Sequence, residues 1–216
     1  MKKFLALLTM LASVCLLQSA ANAAGEVEFW NWFQQNEERL FMGGSDSAAA
    51  YEALGTELKK VDESLTYEFG PLIRDGKKEF VISADGNKRA FPAVEDLYAK
   101  APPLPRWTWT KFRQRRENIS DMQFGGRFVR AGDVNYLMFQ DNDKVGLMLF
   151  FDGYDGSEEV TFGQIGYLML DEALGEYAVE TKVGLIEFQP RTSEFYSQSS
   201  PLKNLPAQFD EYWAGK

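Results

Sequence analysis

The chain contains one order of predicted elements twice: strand, strand, helix, strand. This repetition limits the folds that the chain can adopt. In the first copy, about 65–116, alternating apolar residues predict strands that start at Leu65 and Phe80. A helix over 91–101 ends at a group of prolines, and Trp107 then opens the third strand.

The second copy, about 134–189, follows the same order. Its predicted elements are two strands, a helix and a strand, over 134–140, 145–151, 162–177 and 183–188. The apolar run 167–170 inside this helix would also suit a strand, because short apolar runs do not separate the two structures. The two copies indicate an internal duplication within a single domain, 24–216.

Two amphipathic helices precede the first copy. Apolar residues at helical spacing predict one helix over 27–41, which Gly43-Gly44 ends, and another from capping residues at 45–47 to about Val61. Helices that are segregated from a largely antiparallel sheet, or from two abutting sheets, pack on one face in an α+β fold. We therefore predict an α+β protein with two β-β-α-β units after two N-terminal helices.

The first 23 residues have the three parts of an export signal. Lys2 and Lys3 give a positive start, 4–17 is mostly apolar, and Ala21-Asn22-Ala23 supplies the small residues that signal peptidase requires. The apolar run is shorter than the roughly 20 residues that span a bilayer. We expect cleavage after Ala23, a periplasmic or secreted protein, and no integral membrane segment after cleavage.

Composition removes several classes of chemistry from the mature chain. There is no histidine, and the one cysteine, Cys15, lies inside the signal. Imidazole-based triads, thiol nucleophiles, disulfides and most zinc or haem sites are thereby lost, and we expect no cofactor and no metal. Removal of Lys2 and Lys3 takes the formal net charge from −9 to −11, which argues against nucleic acid as a partner.

Short motifs occur along both copies. They are EFGP at 68–71, EFVISADG at 79–86, FPAV at 91–94, AP at 101–102, PRW at 105–107, LD at 170–171, LGEY at 174–177 and IEF at 186–188. Together these motifs resemble a group of small uncharacterised bacterial proteins. The resemblance covers about 29–188, implies a domain of unknown function, and carries over no catalytic residue.

Positive charge is concentrated in one part of this acidic chain. The basic residues are Lys111, Arg113, Arg115, Arg116, Arg127 and Arg130. Arginine forks grip carboxylate or phosphate, so this stretch predicts a cationic surface for an anionic ligand. The alternative is a solvated strand end whose bases pair with the surplus acids of the chain.

Trp107 and Trp109 lie two residues apart in a predicted strand and therefore point to the same face. They would form either an aromatic platform for a sugar or peptide, or a packed layer beneath the helices. Asp85 and Asp152 follow the second strand of each copy, and a pair of them would allow acid and base chemistry. The ordinary interpretation of Asp-Gly at these positions is a tight turn.

These patterns favour a non-enzymatic exported module that binds a protein or a small anionic ligand. The binding surface would be the groove between the two copies or the basic edge. The candidate ligand-binding residues are Trp107, Trp109, Lys111, Arg113, Arg115 and Arg116. One alternative is a carboxylate-dependent hydrolase of envelope polysaccharide, because glycoside cleavage needs only two carboxyl groups. A partner that masks another protein is a third class.

The signal generates a first prediction. Expressed with residues 1–23 in a bacterial host, the protein should be cleaved after Ala23, because signal peptidase accepts small residues at its cleavage site. N-terminal sequencing should then start at Ala24, Gly25 and Glu26. A mature chain that begins at a lipidated Cys15 would contradict this cleavage site.

Overall fold

The structure is a computed structural model, and it describes residues 25–43, 47–70 and 75–216. The predicted signal at 1–23, Gly44, the capping residues 45–46 and Pro71 lie outside the described residues. The chain divides into two compact units, Met1–Lys111 and Phe112–Lys216, and each is described by itself.

The first unit has three helices and a three-stranded sheet among its described residues. The helices are α1 over 25–42, α2 Ala48–Val61 and α3 Phe91–Ala99, and the strands are β1 Thr66–Phe69, β2 Lys78–Ser83 and β3 Trp107–Lys111. The central strand β2 pairs antiparallel with β1 and parallel with β3. This parallel pairing follows from α3, because a helical crossover returns the chain in the direction of the preceding strand.

An aromatic layer between α1 and β2 forms the core of the first unit. Phe29 and Phe33 lie one turn apart on α1, so they face the same side of the helix. Both are buried, and their ring centroids lie 6.3 and 5.2 Å from that of Phe80 on β2. The nonpolar stripe of α1 therefore packs directly onto the central strand of the sheet.

The second unit contains a four-stranded sheet, a separate hairpin and three helices among its described residues. The strands are β4 Met122–Phe124, β5 Arg127–Val129, β6 Asn135–Asp141, β7 Lys144–Phe151, β8 Val183–Pro190 and β9 Ser200–Pro201, and the helices are α4 Glu159–Leu174, α5 Glu176–Lys182 and α6 Leu205–Ala214. The sheet order is β8-β7-β6-β9, with β8 parallel to β7 and the other pairs antiparallel. β4 and β5 pair with each other.

The core of the second unit consists of alternate residues of its strands and of residues at helical spacing on its helices. Alternate residues of β7, among them Leu147 and Leu149, are buried in the same cluster as Ile165 and Met169 of α4. Phe209 brings α6 into this cluster. Leu147, Leu149, Ile165 and Met169 are fully buried, so this face of the sheet is covered by helices.

The predicted α+β class, with two β-β-α-β units after two N-terminal helices, is confirmed. Each of the two larger sheets is mixed, since its hairpin is antiparallel and its third strand is parallel. The predicted helix 162–177 is divided into α4 and α5, because Gly175 adopts a φ of 85° that ends α4. The ambiguous run 167–170 lies in α4. Among the described residues, no helix is both long and apolar enough to cross a membrane.

Two glycines of α4 provide a matched test of helix packing against β8. A Cβ at Gly166 would overlap the ring of Phe188, whereas a Cβ at Gly163 would lie 3.6 Å from the same ring, an ordinary contact. We expect Gly166→Ala to lower the free energy of unfolding by about 1–2 kcal/mol, since overpacking outweighs the gain in helix propensity.

Gly163→Ala is the control and should be neutral or raise stability by up to about 1 kcal/mol. Urea denaturation of both variants, followed by circular dichroism, measures the difference. Equal stability of the two variants would contradict the close approach of α4 to Phe188.

Candidate functional site

The predicted site residues fall into different parts of the structure. Trp107, Trp109 and Lys111 belong to β3 in the first unit. Arg113, Arg115 and Arg116 belong to the second unit, where they follow the strand as irregular chain.

The two tryptophans share a face, and α1 covers that face. Their rings are parallel to within 3°, with centroids 5.8 Å apart, and Phe33 of α1 lies 4.9 and 5.2 Å from them. Trp107 is only 3% exposed. The Trp109 Nε1–H donates to the carbonyl of Pro102 at 2.7 Å, and that of Trp107 donates to Glu37 at 3.2 Å. Of the two arrangements that the sequence allowed for these tryptophans, the structure has the layer packed beneath a helix and not the open platform.

Lys111 and Arg115 form ion pairs at the surface. The ammonium of Lys111 contacts the carboxylate of Glu95. Arg115 grips Asp210 of α6 with two hydrogen bonds of 2.7 and 2.9 Å, and these side chains are 34% and 60% exposed. The guanidinium of Arg115 lowers the pKa of Asp210, through its hydrogen bond first and its charge second. Exposed pairs of this kind contribute about 0–1 kcal/mol to stability.

Arg113, in contrast, is largely shielded from solvent together with its partners. Its guanidinium lies 3.3 Å from Asp171, and the two side chains are 12% and 9% exposed. Its backbone N–H donates to the Glu176 carboxylate at 2.9 Å, while its carbonyl accepts from the Glu176 N–H at the same distance. Glu176 is fully buried. The backbone of Arg113 is therefore hydrogen-bonded to both the side chain and the backbone of a buried residue.

Glu172 extends these contacts along the chain. Its carbonyl accepts from the Arg116 N–H at 2.8 Å, and its carboxylate lies 3.2 Å from the Arg116 guanidinium. The same carboxylate accepts the Ser120 N–H at 2.6 Å. Residues 112–120, which we call the entry segment, are thus fixed to residues 171–177, the corner where α4 ends and α5 begins.

Burial raises the pKa of Asp171 to about 7, well above its ordinary value of 3.8. Arg113 opposes this shift, whereas the negative charges of Glu176 and Glu180 add to it. A carboxyl group with such a pKa has the property of a general acid. Asp171 is nevertheless closed in by Arg113 and fully buried Glu176, an arrangement typical of a structural ion-pair network rather than of a cleft.

The acid pair predicted from the sequence, Asp85 and Asp152, has turn geometry. Asp85 and Gly86 have positive φ values of 51° and 76°, which are typical of a tight turn. Asp152 and Gly153 also lie in a turn. Within the described ranges, no group of three histidine, cysteine or acidic residues is placed to hold a metal ion.

The structure shows one exposed feature that the sequence interpretation missed. β4 and β5 form a hairpin, Met122–Val129, with Gly125 and Gly126 as its two-residue turn. Phe128 on this hairpin is 59% exposed. The signal was present in the sequence, since a Gly-Gly pair between two short alternating runs is a typical hairpin pattern.

The chain has no match among known proteins at the level of family, sequence or structure: no protein-family model, no curated protein and no solved structure matches it.

The contrast between Arg113 and Arg115 yields a prediction. Arg113→Met removes the cation beside Asp171, so the buried carboxyl group loses its ion pair and its hydrogen bond. We expect it to lower the free energy of unfolding at pH 7 by roughly 2–4 kcal/mol. Arg115→Met removes only a surface pair and should cost less than about 1 kcal/mol.

Denaturant titrations of both variants at pH 7 measure these costs. Equal losses of stability in the two variants would contradict the network around Arg113, because breaking a buried ion pair should cost more than breaking an exposed one.

Proposed function

We propose that the chain is an exported, non-enzymatic binding module that takes a protein partner at the β4–β5 hairpin. The observation that supports this proposal is a rigidly anchored hairpin with a large exposed aromatic side chain, Phe128. Aromatic residues on fixed backbones are the usual anchors of protein interfaces, since they bury a large area at a small entropic cost.

The backbone of the hairpin is fixed at its turn and at its base. Gly125 and Gly126 have φ values of 56° and 81°. Positive φ at both central residues is the requirement of a type I′ turn, whose twist matches that of the two strands. At the base, the Ala131 N–H donates to the Asp121 carboxylate at 2.9 Å. A preformed hairpin loses little conformational freedom on binding, which favours affinity.

The hairpin is also anchored to α4. Arg127 grips Glu158, the residue before α4, with its Nε 3.0 and 2.9 Å from the two carboxylate oxygens. A Cβ on Gly125 would lie 2.7 Å from the Thr161 Oγ1, so only glycine fits where the turn meets the helix. The hairpin is therefore held in one orientation on the second unit.

The register of the hairpin separates an inner from an outer face. Met122 pairs with Val129, and both pack against the core of the second unit. Gln123 pairs with Phe128 on the opposite face. Phe128 thus points away from the core of its own unit.

The partner that best fits this surface is an extended, neutral or basic segment of another protein. β4 and β5 form a two-stranded sheet, so each has a lateral edge to which an extended segment can add through its main chain. An apolar side chain of that segment would cover Phe128. The acidic charge of the chain favours a neutral or basic partner over an acidic one.

The contacts of the basic residues make the other candidate functions weaker. Lys111, Arg113, Arg115 and Arg116 all contact carboxylates of the chain itself, so a small anion would have to compete with these acids. A polysaccharide hydrolase would need an accessible pair of carboxyl groups, whereas Asp171 and Glu176 are buried beside Arg113.

Site-specific photocrosslinking tests the hairpin as a docking surface. p-Benzoylphenylalanine in place of Phe128 should give a crosslinked product with an envelope protein in living cells. The same substitution at Phe195, which is also exposed but lies outside the hairpin, should not give that product.

The crosslinked protein, once identified and purified, provides the quantitative measurement. Its affinity for the chain should fall at least about tenfold with Phe128→Asp, since a buried aromatic anchor contributes 1.4 kcal/mol or more, and should not change with Phe195→Asp. Equal losses in both variants, no product specific to position 128, or release of sugar from isolated envelope polysaccharide would contradict the proposal.

A further inference from the structure

The main-chain groups on the outer edge of β5 belong to Phe128. Phe124 pairs with Arg127 across the two-residue turn, and Met122 pairs with Val129. In an antiparallel ladder, pairs that exchange both main-chain hydrogen bonds alternate with pairs that exchange none. A two-residue turn makes the pair next to it a hydrogen-bonded one. The N–H and the C=O of Phe128 therefore point away from β4.

This edge is open at Phe128. Within the part of the chain that the structure describes, neither its N–H nor its C=O has a hydrogen-bond partner. The next residue of the same orientation, Arg130, is already engaged, because its C=O accepts the Asp133 N–H at 3.0 Å. The free main-chain donor and acceptor thus belong to the same residue as the 59% exposed aromatic ring.

β5 is also the more accessible strand of the hairpin. Cα atoms of β4 come within 8 Å of those of α4, so β4 is the strand that runs beside the helix. A strand that adds to a sheet lies about 4.8 Å from its neighbour and needs an unobstructed side. The helix restricts that space at β4, which leaves β5 as the strand for addition.

The surroundings of β5 are acidic, although the strand begins with an arginine. Arg127 pairs with Glu158, and Arg130 lies 3.5 Å from Asp133. Asp155 adds a further negative charge near Arg127. The acids at this surface therefore outnumber the cations, and a partner with lysine or arginine is favoured over one with aspartate or glutamate.

We propose that the partner adds to β5 as a short antiparallel strand with basic ends, whose central residue lies opposite Phe128 and is apolar and not proline. This inference rests on the proposed function of the hairpin and specifies the segment that it recognises. The central residue accepts from the Phe128 N–H and donates to the Phe128 C=O. Proline has no N–H and cannot make the second bond.

The antiparallel direction follows from the shortness of the free edge. An antiparallel segment makes both hydrogen bonds with one residue, whereas a parallel segment divides them between two residues. Antiparallel pairing also places the central side chain directly opposite the Phe128 ring, on the same face. Because two hydrogen bonds contribute little net affinity, this contact between side chains is needed for recognition.

A synthetic peptide tests the register on the full chain. The probe is a capped nonapeptide with two lysines at each end and, between them, threonine, valine, leucine, valine and threonine. Nuclear magnetic resonance of the isotopically labelled chain should show saturable shifts centred on the Phe128 amide, with a dissociation constant of about 1 mM or below.

Two matched peptides separate the contributions to binding. An N-methyl group on the central leucine removes the donor to the Phe128 C=O and should weaken binding at least about tenfold. Glutamate in place of every lysine should weaken it at least about threefold, since the surface is acidic.

Hydrogen exchange measures the main-chain contact directly. In the free chain, the Phe128 amide should exchange at least about tenfold faster, relative to its intrinsic rate, than the Val129 amide, which pairs with Met122. When about nine tenths of the chain is bound to the probe, exchange at Phe128 should slow about tenfold, because only the free chain then exchanges.

The outcomes separate this inference from the proposed function. Absence of binding by the probe, equal affinity of the leucine and N-methylleucine peptides, or shifts centred on β4 would overturn strand addition to β5. If the two peptides bind equally while Phe128→Asp still weakens the crosslinked partner, the hairpin docks through its side chain alone. If the probe binds as expected but no product forms at position 128, the register stands and the protein partner is contradicted.

Discussion

Three acidic side chains, Asp171, Glu172 and Glu176, are buried where α4 meets α5, and the course of residues 112–120 depends on them. A buried carboxylate is costly unless it is paired and hydrogen-bonded. Arg113, Arg116 and Ser120 supply those partners. The acids and the segment thus stabilise each other, and removal of either leaves buried polar groups without their counterparts. Two residues of the basic stretch, Arg113 and Arg116, thus hold the entry segment to the corner between α4 and α5.

The β-β-α-β order has a further effect on the architecture. In each unit the hairpin places its second strand at the centre, and the helical crossover adds the third strand in parallel on the other side. The second strand is therefore paired along both of its edges. In β7 both faces are also covered, since Leu147 and Leu149 face α4, and Phe150 on the opposite face packs against Tyr196 with ring centroids 5.6 Å apart. This explains why β7 is almost continuously apolar while β6 alternates, and why Phe150 is buried together with Leu149.

Sequence periodicity was sufficient for most of the fold, because alternation and helical spacing reflect contacts of each element with one core. It predicted both β-β-α-β units and the shared face of Trp107 and Trp109. It did not show which face α1 covers, since that depends on packing between distant parts of the chain. Sequence periodicity did not show the ion-pair partners of the arginines either. Arg113 meets Asp171 across 58 positions and Arg115 meets Asp210 across 95, and no local pattern encodes such pairs. The hairpin was overlooked although its Gly-Gly turn is local.

The contact of Arg115 with Asp210 has a consequence for how the second unit is made. It joins the beginning of that unit to its last helix, and Phe209 completes the core from the same helix. Contacts between residues so far apart in sequence form late, since the intervening chain must first be ordered. During synthesis or export, α6 emerges after β7 and α4, so the core of the second unit cannot be complete before α6 is available. The hydrophobic face of β7 and α4 therefore stays partly uncovered until then, and such transiently exposed surface is prone to aggregation.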